Sequence, residues 1–154
     1  MINRFGGCQC GEIRYVLLAP PLTVYICHCR DCQKQSASSF GMSMPVRREG
    51  FRIVQGEPAL WYRTAASGRL VACAFCKSCG TRIYHAPERN SAIVNIKPGT
   101  FDDPSDLVPV RHVWVKRALP WLRPLITGLV FEDQPADFEP FFTAWAELHG
   151  MRRP

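Results

Sequence analysis

Cys27-His28-Cys29-Arg30-Asp31-Cys32 places three cysteines within six residues, and that spacing limits what the surrounding chain can be. In an extended segment residues i and i+2 face the same side, so Cys27 and Cys29 converge. A turn after Cys29 brings Cys32 round to the same point. Thiolates sharing a zinc ion lie about 2.3 Å from it, which demands such convergence. The motif supplies three ligands and no evident fourth. Catalytic zinc sites typically have three protein ligands and keep one position for water or substrate. The spacing therefore predicts a catalytic zinc on Cys27, Cys29 and Cys32.

Two further clips flank this motif. Gly6-Gly7-Cys8-Gln9-Cys10-Gly11 is a glycine-flanked C-x-C, and Cys76-Lys77-Ser78-Cys79-Gly80 is a C-x-x-C followed by glycine, the pattern of a zinc knuckle. Each clip supplies two ligands, and together they make a closed four-sulfur site. With 65 residues between Cys10 and Cys76, such a site would staple the N-terminus to the middle of the chain. Buried cysteines that merely pack do not usually cluster in chelating spacings. The eighth cysteine, Cys73, separates two readings. As a spare buried thiol it leaves the Cys27, Cys29, Cys32 site open. As a fourth ligand there it would close both sites and leave a non-enzymatic, zinc-stabilised binding module. On a regular strand Cys73 and Cys76 face opposite sides.

Composition narrows the class. The chain has 154 residues, 47% hydrophobic and 21% charged, which suits a single domain over 1–154 with a real core. No apolar run approaches the roughly 20 residues of a membrane span. No apolar targeting stretch precedes Cys8, so the expectation is a cytoplasmic protein with reduced thiols, where this cysteine spacing favours metal over disulfides. The formal charge is +6, but seven thiolates and two divalent cations remove half of that excess. The basic residues are scattered, with short pairs such as Arg47-Arg48 and Lys116-Arg117, so an anionic small molecule fits better than nucleic acid. The chain has no G-x-G-x-x-G, P-loop or G-x-S-x-G, so nucleotide-binding and serine-hydrolase chemistry have no motif to rest on.

The rest reads as mainly β. Strands are predicted over 12–17, 24–26, 40–46, 69–75, 82–85, 92–96 and 110–116. Segments 51–54 and 59–63, separated by Gln55-Gly56-Glu57-Pro58, suggest a hairpin or meander. Asp31 can cap a short helix to about Ser36, with Cys32 in its first turn, where the helix N-terminus favours a thiolate. Residues 119–124 read as irregular. Phe138, Phe141, Phe142, Trp145 and Leu148 recur at helical spacing between Asp137, a candidate cap, and Gly150, a candidate stop. That amphipathic helix, about 137–149, reads as a core helix or an oligomer contact.

The three cysteine motifs, taken in order with Gln33-Lys34 after the second and Thr81 after the third, closely resemble the glutathione-dependent formaldehyde-activating enzyme family, which shares a domain with centromere protein V. The resemblance covers about 5–117 and leaves 118–154 as a C-terminal extension. It implies an antiparallel β-tent around two zinc ions, one structural on Cys8, Cys10, Cys76 and Cys79, one catalytic on Cys27, Cys29 and Cys32. It implies a carbon–sulfur lyase whose partners are a small thiol such as glutathione and an aldehyde, with S-hydroxymethylglutathione formed from formaldehyde as the namesake reaction.

Three cysteinates leave a zinc site net negative and weaken its Lewis acidity, which favours capture of a substrate thiol over activation of water. A substrate carboxylate could be held by Arg30, Lys34, Arg47, Arg48 or Arg82. His28 alternates away from its cysteine neighbours and reads as a packing or hydrogen-bonding residue. His112 reads as a structural histidine or an acid/base.

Overall fold

A computed structural model describes residues 3–65, 68–88 and 92–151. In chain order the strands are β1 (Arg4–Gly7), β2 (Arg14–Leu17), β3 (Tyr25–Cys27), β4 (Gly41–Arg47), β5 (Phe51–Gln55), β6 (Ala59–Thr64), β7 (Leu70–Phe75), β8 (Arg82–Pro87), β9 (Ile93–Ile96), β10 (Arg111–Val113) and β11 (Leu129–Phe131). Helix α1 (Arg30–Ser36) follows β3, and α2 (Glu139–Leu148) follows β11. The protein is mainly β with few helices. No helix among the described residues is long and apolar enough to cross a membrane.

The chain divides into two compact units, one of Met1–Pro21 with Pro45–Asp106 and one of Leu22–Met44 with Leu107–Pro154. In the first, β1, β2 and β5 pair in that order, and β9, β8, β7 and β6 form a second run, every pairing antiparallel. Its core gathers around Tyr15, which is fully buried. The Tyr15 ring meets Phe51 at 5.3 Å and Phe101 at 5.7 Å, and its hydroxyl shares a 2.8 Å hydrogen bond with Thr100 Oγ1. Burial, ahead of every other influence, pushes that phenol well above its ordinary range.

In the second unit the order is β11-β10-β3-β4. Here the expectation of antiparallel strands gives way: β10 runs parallel to both β3 and β11, and only β3 with β4 is antiparallel. Parallel neighbours need long connections, and the segments from 28 to 110 and from 114 to 128 provide them. The fully buried Phe141 of α2 anchors this unit, stacked on Phe131 at 5.3 Å and edge-on to Tyr25 at 5.9 Å.

Five other expectations are corrected. β5 pairs with β2 and β6 with β7, so 51–63 is not a hairpin but a passage between separate pairings. The predicted strand 110–116 ends at Val113, because Trp114 adopts a left-handed backbone (φ 60°) and a short 3-10 turn, Val115–Arg117, follows. Residues 119–124 are not irregular: Leu119 precedes a 3-10 turn, Pro120–Leu125, that takes in the others and whose first proline needs no N–H partner. Helix α1 is capped by Cys29 rather than Asp31, which sits inside the first turn. The C-terminal helix forms, but Phe138 rather than Asp137 is its N-cap, Asp137 Oδ1 accepting from Glu139 N–H at 2.9 Å, and Gly150 follows its end in the left-handed region (φ 60°).

Candidate metal centres

The first unit builds its cluster from two turns. Cys8 closes a tight loop: its N–H donates to Ile13 O at 3.0 Å, Gly11 N–H donates back to Cys8 O at 3.0 Å, and Ile13 N–H points at Cys8 Sγ at 3.2 Å. The second turn follows β7. Gly80 N–H donates to Cys76 O at 2.9 Å and Cys76 N–H to Thr81 O at 2.9 Å, with Gly80 in the left-handed conformation (φ 74°) that this reversal requires. Thr81 joins the two turns. Its hydroxyl lies 3.2 Å from Cys79 Sγ and accepts a 3.2 Å hydrogen bond from Gln9 N–H.

The sulfurs of Cys8, Cys10, Cys76 and Cys79 all lie within 4.8 Å of one another. Cys8 and Cys10 are 3.5 Å apart, and Cys10 and Cys76 are 3.7 Å apart. The hydroxyl of Thr81, then its backbone N–H, pull the Cys79 thiol down to about 6. Cys10 instead is pushed up to about 12: a backbone hydrogen bond from Glu12 lowers it, but Cys8 and Cys79 together raise it more. Crowded sulfurs cannot all ionise unless a cation compensates. The donor set fits a metal ion with four sulfur ligands.

The second unit gathers three thiols. Cys27 ends β3, Cys29 caps α1 and Cys32 lies in its first turn, and the three sulfurs also fall within 4.8 Å of one another. Cys32 N–H reaches Cys29 Sγ at 3.4 Å, the helix N-terminus turned onto a candidate ligand. Gly41 faces this turn, where an added Cβ would lie 3.0 Å from that of Cys32. The neighbouring Cys29 and Cys32 sulfurs, then burial, hold the Cys27 thiol far above its ordinary range. The three-thiol set also fits a cation. Among the described residues, the metal-ligating groups that come together here are these three alone, and Cys73 belongs to neither cluster. Cys73 lies buried on β7, with its sulfur 3.6 Å from Val71 O.

An apolar wall surrounds the triad. Cys27 and Cys32 pack in one buried cluster with Tyr25, Val113 and Phe141, against which Cys29, Trp114, Phe131, Phe138 and Phe142 also pack. The C-terminal aromatic helix, read from sequence as core packing or an oligomer contact, is therefore core packing around the candidate site. Trp114 holds a left-handed backbone that costs a bulky residue about 1–2 kcal/mol. Its indole N–H donates to Gln134 Oε1 at 3.1 Å, and Lys116 Nζ sits 5.5 Å from its ring.

His28 is buried as expected and joins no sulfur cluster. It stacks on His112 with ring centroids 5.3 Å apart, and its Nε2 lies 3.0 Å from His112 Nδ1. Burial, then the neighbouring His112, pulls His28 down to about 4; burial also lowers His112. The His28 Nδ1 atom is buried without a partner. An orphaned lone pair is tolerated better than an orphaned N–H. We therefore assign His28 as the donor through Nε2–H, which leaves His112 carrying its proton on Nε2. Sequence reasoning missed Gln33. Its buried side chain donates to His28 O at 2.6 Å and Arg117 O at 3.0 Å, tying the cysteine turn to the chain after β10. A polar residue one turn into a cysteine-capped helix carries no signal that distinguishes it from a solvated one.

The model of the glutathione-dependent formaldehyde-activating enzyme family matches residues 3–117, most of the chain. The chain belongs to this family. The match spans all three cysteine motifs and stops before β11 and α2, so Phe131, Phe138, Phe141 and Phe142 lie in the part beyond the family's model. No curated protein matches the chain. Among solved structures it is similar to a structural-genomics target from Rhodobacter sphaeroides, at 18% identity and a TM-score of 0.53, over 82% of this chain and 98% of that one. At that identity the likeness concerns the fold alone.

Proposed function

We propose that the protein is a zinc-dependent carbon–sulfur lyase that makes or breaks a thiol–aldehyde adduct such as S-hydroxymethylglutathione. The observation that carries this reading is the three-thiol cluster within a chain of this family. Cys8, Cys10, Cys76 and Cys79 would hold a structural zinc, and Cys27, Cys29 and Cys32 a catalytic one. The whole of residues 1–154 would act as one zinc domain of β-tent type in a reducing, cytoplasmic setting.

Zinc, when bound, supplies a cation that favours the thiolate form of an incoming thiol. The protein's own groups do the rest. Tyr25, Val113, Trp114 and Phe141 keep the triad in apolar surroundings, where electrostatic attraction is strongest. In the forward direction an S–C bond forms, the carbonyl π bond breaks, and the proton lost by sulfur is gained by oxygen. A thiol held beside the aldehyde carbon gains from proximity.

The test is an assay of zinc-loaded protein with glutathione and formaldehyde, following the S-hydroxymethyl carbon by NMR against the uncatalysed rate. The expected result is acceleration that Cys29→Ser abolishes. Activity unchanged in Cys29→Ser would remove the catalytic assignment.

A further inference from the structure

Open sheets leave edges, and the first unit treats its edges unequally. On the outer side of β1, Gly6 bridges Phe101 and Asp102 N–H donates to Phe5 O at 3.0 Å, so the chain itself covers that edge. β6 ends the run β9-β8-β7-β6, and no strand among the described residues pairs with its outer side. Edge strands are usually protected by lysine, proline, a bulge or brevity. β6 has none of these. Its six residues, Ala59-Leu60-Trp61-Tyr62-Arg63-Thr64, pair with β7 without a break in register. Leu60, Trp61 and Tyr62 are 48%, 55% and 57% exposed. Successive side chains point to opposite faces, so both faces of this edge are apolar. Leu70, also exposed, lies opposite Thr64 and extends the face that carries Leu60 and Tyr62.

The hydrogen-bond phase of β6 is fixed by its neighbours. Ala65 N–H donates to Arg69 O at 2.8 Å, which continues the register of Thr64 with Leu70. Hydrogen-bonded and non-hydrogen-bonded pairs alternate along an antiparallel ladder. Ala59, Trp61 and Arg63 therefore direct their backbone groups to β7, while Leu60, Tyr62 and Thr64 turn theirs to the free edge. Glu88 N–H, donating to Leu70 O at 3.2 Å, gives the same phase, since it turns Leu70 away from β6.

This phase selects the occupant. A second β6 laid antiparallel about a two-fold axis at Tyr62 pairs Tyr62 with its own counterpart and Leu60 with Thr64, so every outward N–H meets a carbonyl. Trp61 then faces Arg63 of the second copy, and the strand's one charge meets an aromatic ring. An axis at Arg63 would instead set like charges opposite each other. An axis at Trp61 would set Thr64 against Pro58, which has no N–H to give.

We propose that β6 is a self-pairing edge, through which two copies of the chain join antiparallel by Leu60, Tyr62 and Thr64 about a two-fold axis at Tyr62. The run β9-β8-β7-β6 then continues as one sheet across both copies. The pairing rests on the first unit alone and is independent of the lyase reading. A half-exposed aromatic offers roughly 100 Å², which puts the interface at the small end of the stable range and its dissociation constant in the micromolar range.

Sedimentation of the zinc-loaded protein between about 1 µM and about 1 mM tests the association. The expected result is a monomer that gives way to a dimer, with amide hydrogen exchange slowing at Leu60, Tyr62 and Thr64 but not at Trp61 and Arg63. Tyr62→Lys and Tyr62→Glu, which put like charges on the axis, should each weaken association at least tenfold with zinc content unchanged. An equimolar mixture of the two should recover it as a heterodimer. A monomer throughout the range, a dimer that leaves those amides unprotected, undiminished association of either variant or a mixture no better than its parts would each overturn the proposal. So would a monomer whose same amides slow only when an extended peptide is added. The exchange comparison uses the unaltered protein, so it decides even where the variants fail to fold.

Discussion

The two cysteine clusters differ in more than ligand number. The four-thiol cluster joins two hydrogen-bonded turns, with Cys8 and Cys76 buried, Cys79 half-buried and Cys10 exposed. The three-thiol cluster lies in an aromatic core, with Cys27 and Cys32 buried. A half-exposed knot of four sulfurs needs little from its surroundings beyond the turns that aim them. Three sulfurs set among Tyr25, Trp114 and Phe141 depend on distant chain to build their walls, which suits a site made to receive something.

The contrast predicts unequal consequences of substitution. Cys76→Ser is expected to have the largest effect, lowering zinc content from two per chain to one and costing on the order of 5 kcal/mol, since structural zinc binding is folding free energy. Metal analysis with denaturant unfolding checks it, and full stability at one zinc per chain would erase the distinction between the clusters. Phe141→Ala comes next, at about 3–5 kcal/mol for emptying a fully buried aromatic site, with weaker retention of the second zinc. Chelator competition reads the second effect. Should the metal be held as tightly as before, the aromatic wall has no bearing on the triad.

Cys73→Ser sharpens the comparison from the other side. It should keep both zinc ions and cost only about 1–3 kcal/mol, for a hydroxyl in a buried position. Loss of one zinc would mean that both clusters are closed. The smallest effect belongs to Arg14 and Asp102, whose side chains meet with Arg14 Nη1 2.8 Å from Asp102 Oδ1. The hydrogen bond from Arg14 holds the Asp102 carboxyl below its usual range. Its contribution is therefore present above the ordinary aspartate range and fades as pH falls through the lowered value. At this exposure it amounts to about 0.5 kcal/mol. Arg14→Gln should remove that acid-side dependence and nothing at neutral pH beyond this amount.

The sequence carried the thiol groups well and the walls poorly. C-x-C and C-x-x-C spacing is a local geometric statement, and the structure gathers all seven predicted thiols into the two predicted groups. Strands with alternating or β-branched character, such as 70–75 and 93–96, were legible for the same reason. Pairing was not, because register and direction depend on partners remote in sequence. Nothing in Val110–Lys116 announced that Trp114 would leave the strand in a left-handed conformation, or that β10 would run parallel to β3. The aromatic spacing of 138–148 identified a buried face but could not name what it covers. Arg82 looked like Arg30, Lys34, Arg47 and Arg48, which are exposed, whereas β8 holds it half-buried.

Cadmium-113 NMR of the cadmium-substituted protein examines the proposed open side of the Cys27, Cys29, Cys32 cluster most directly. Two resonances are predicted, of which one shifts as glutathione is added and is the same one lost in Cys29→Ser, while the other stays fixed. Two resonances that both ignore the thiol, or a single cadmium bound per chain, would contradict it.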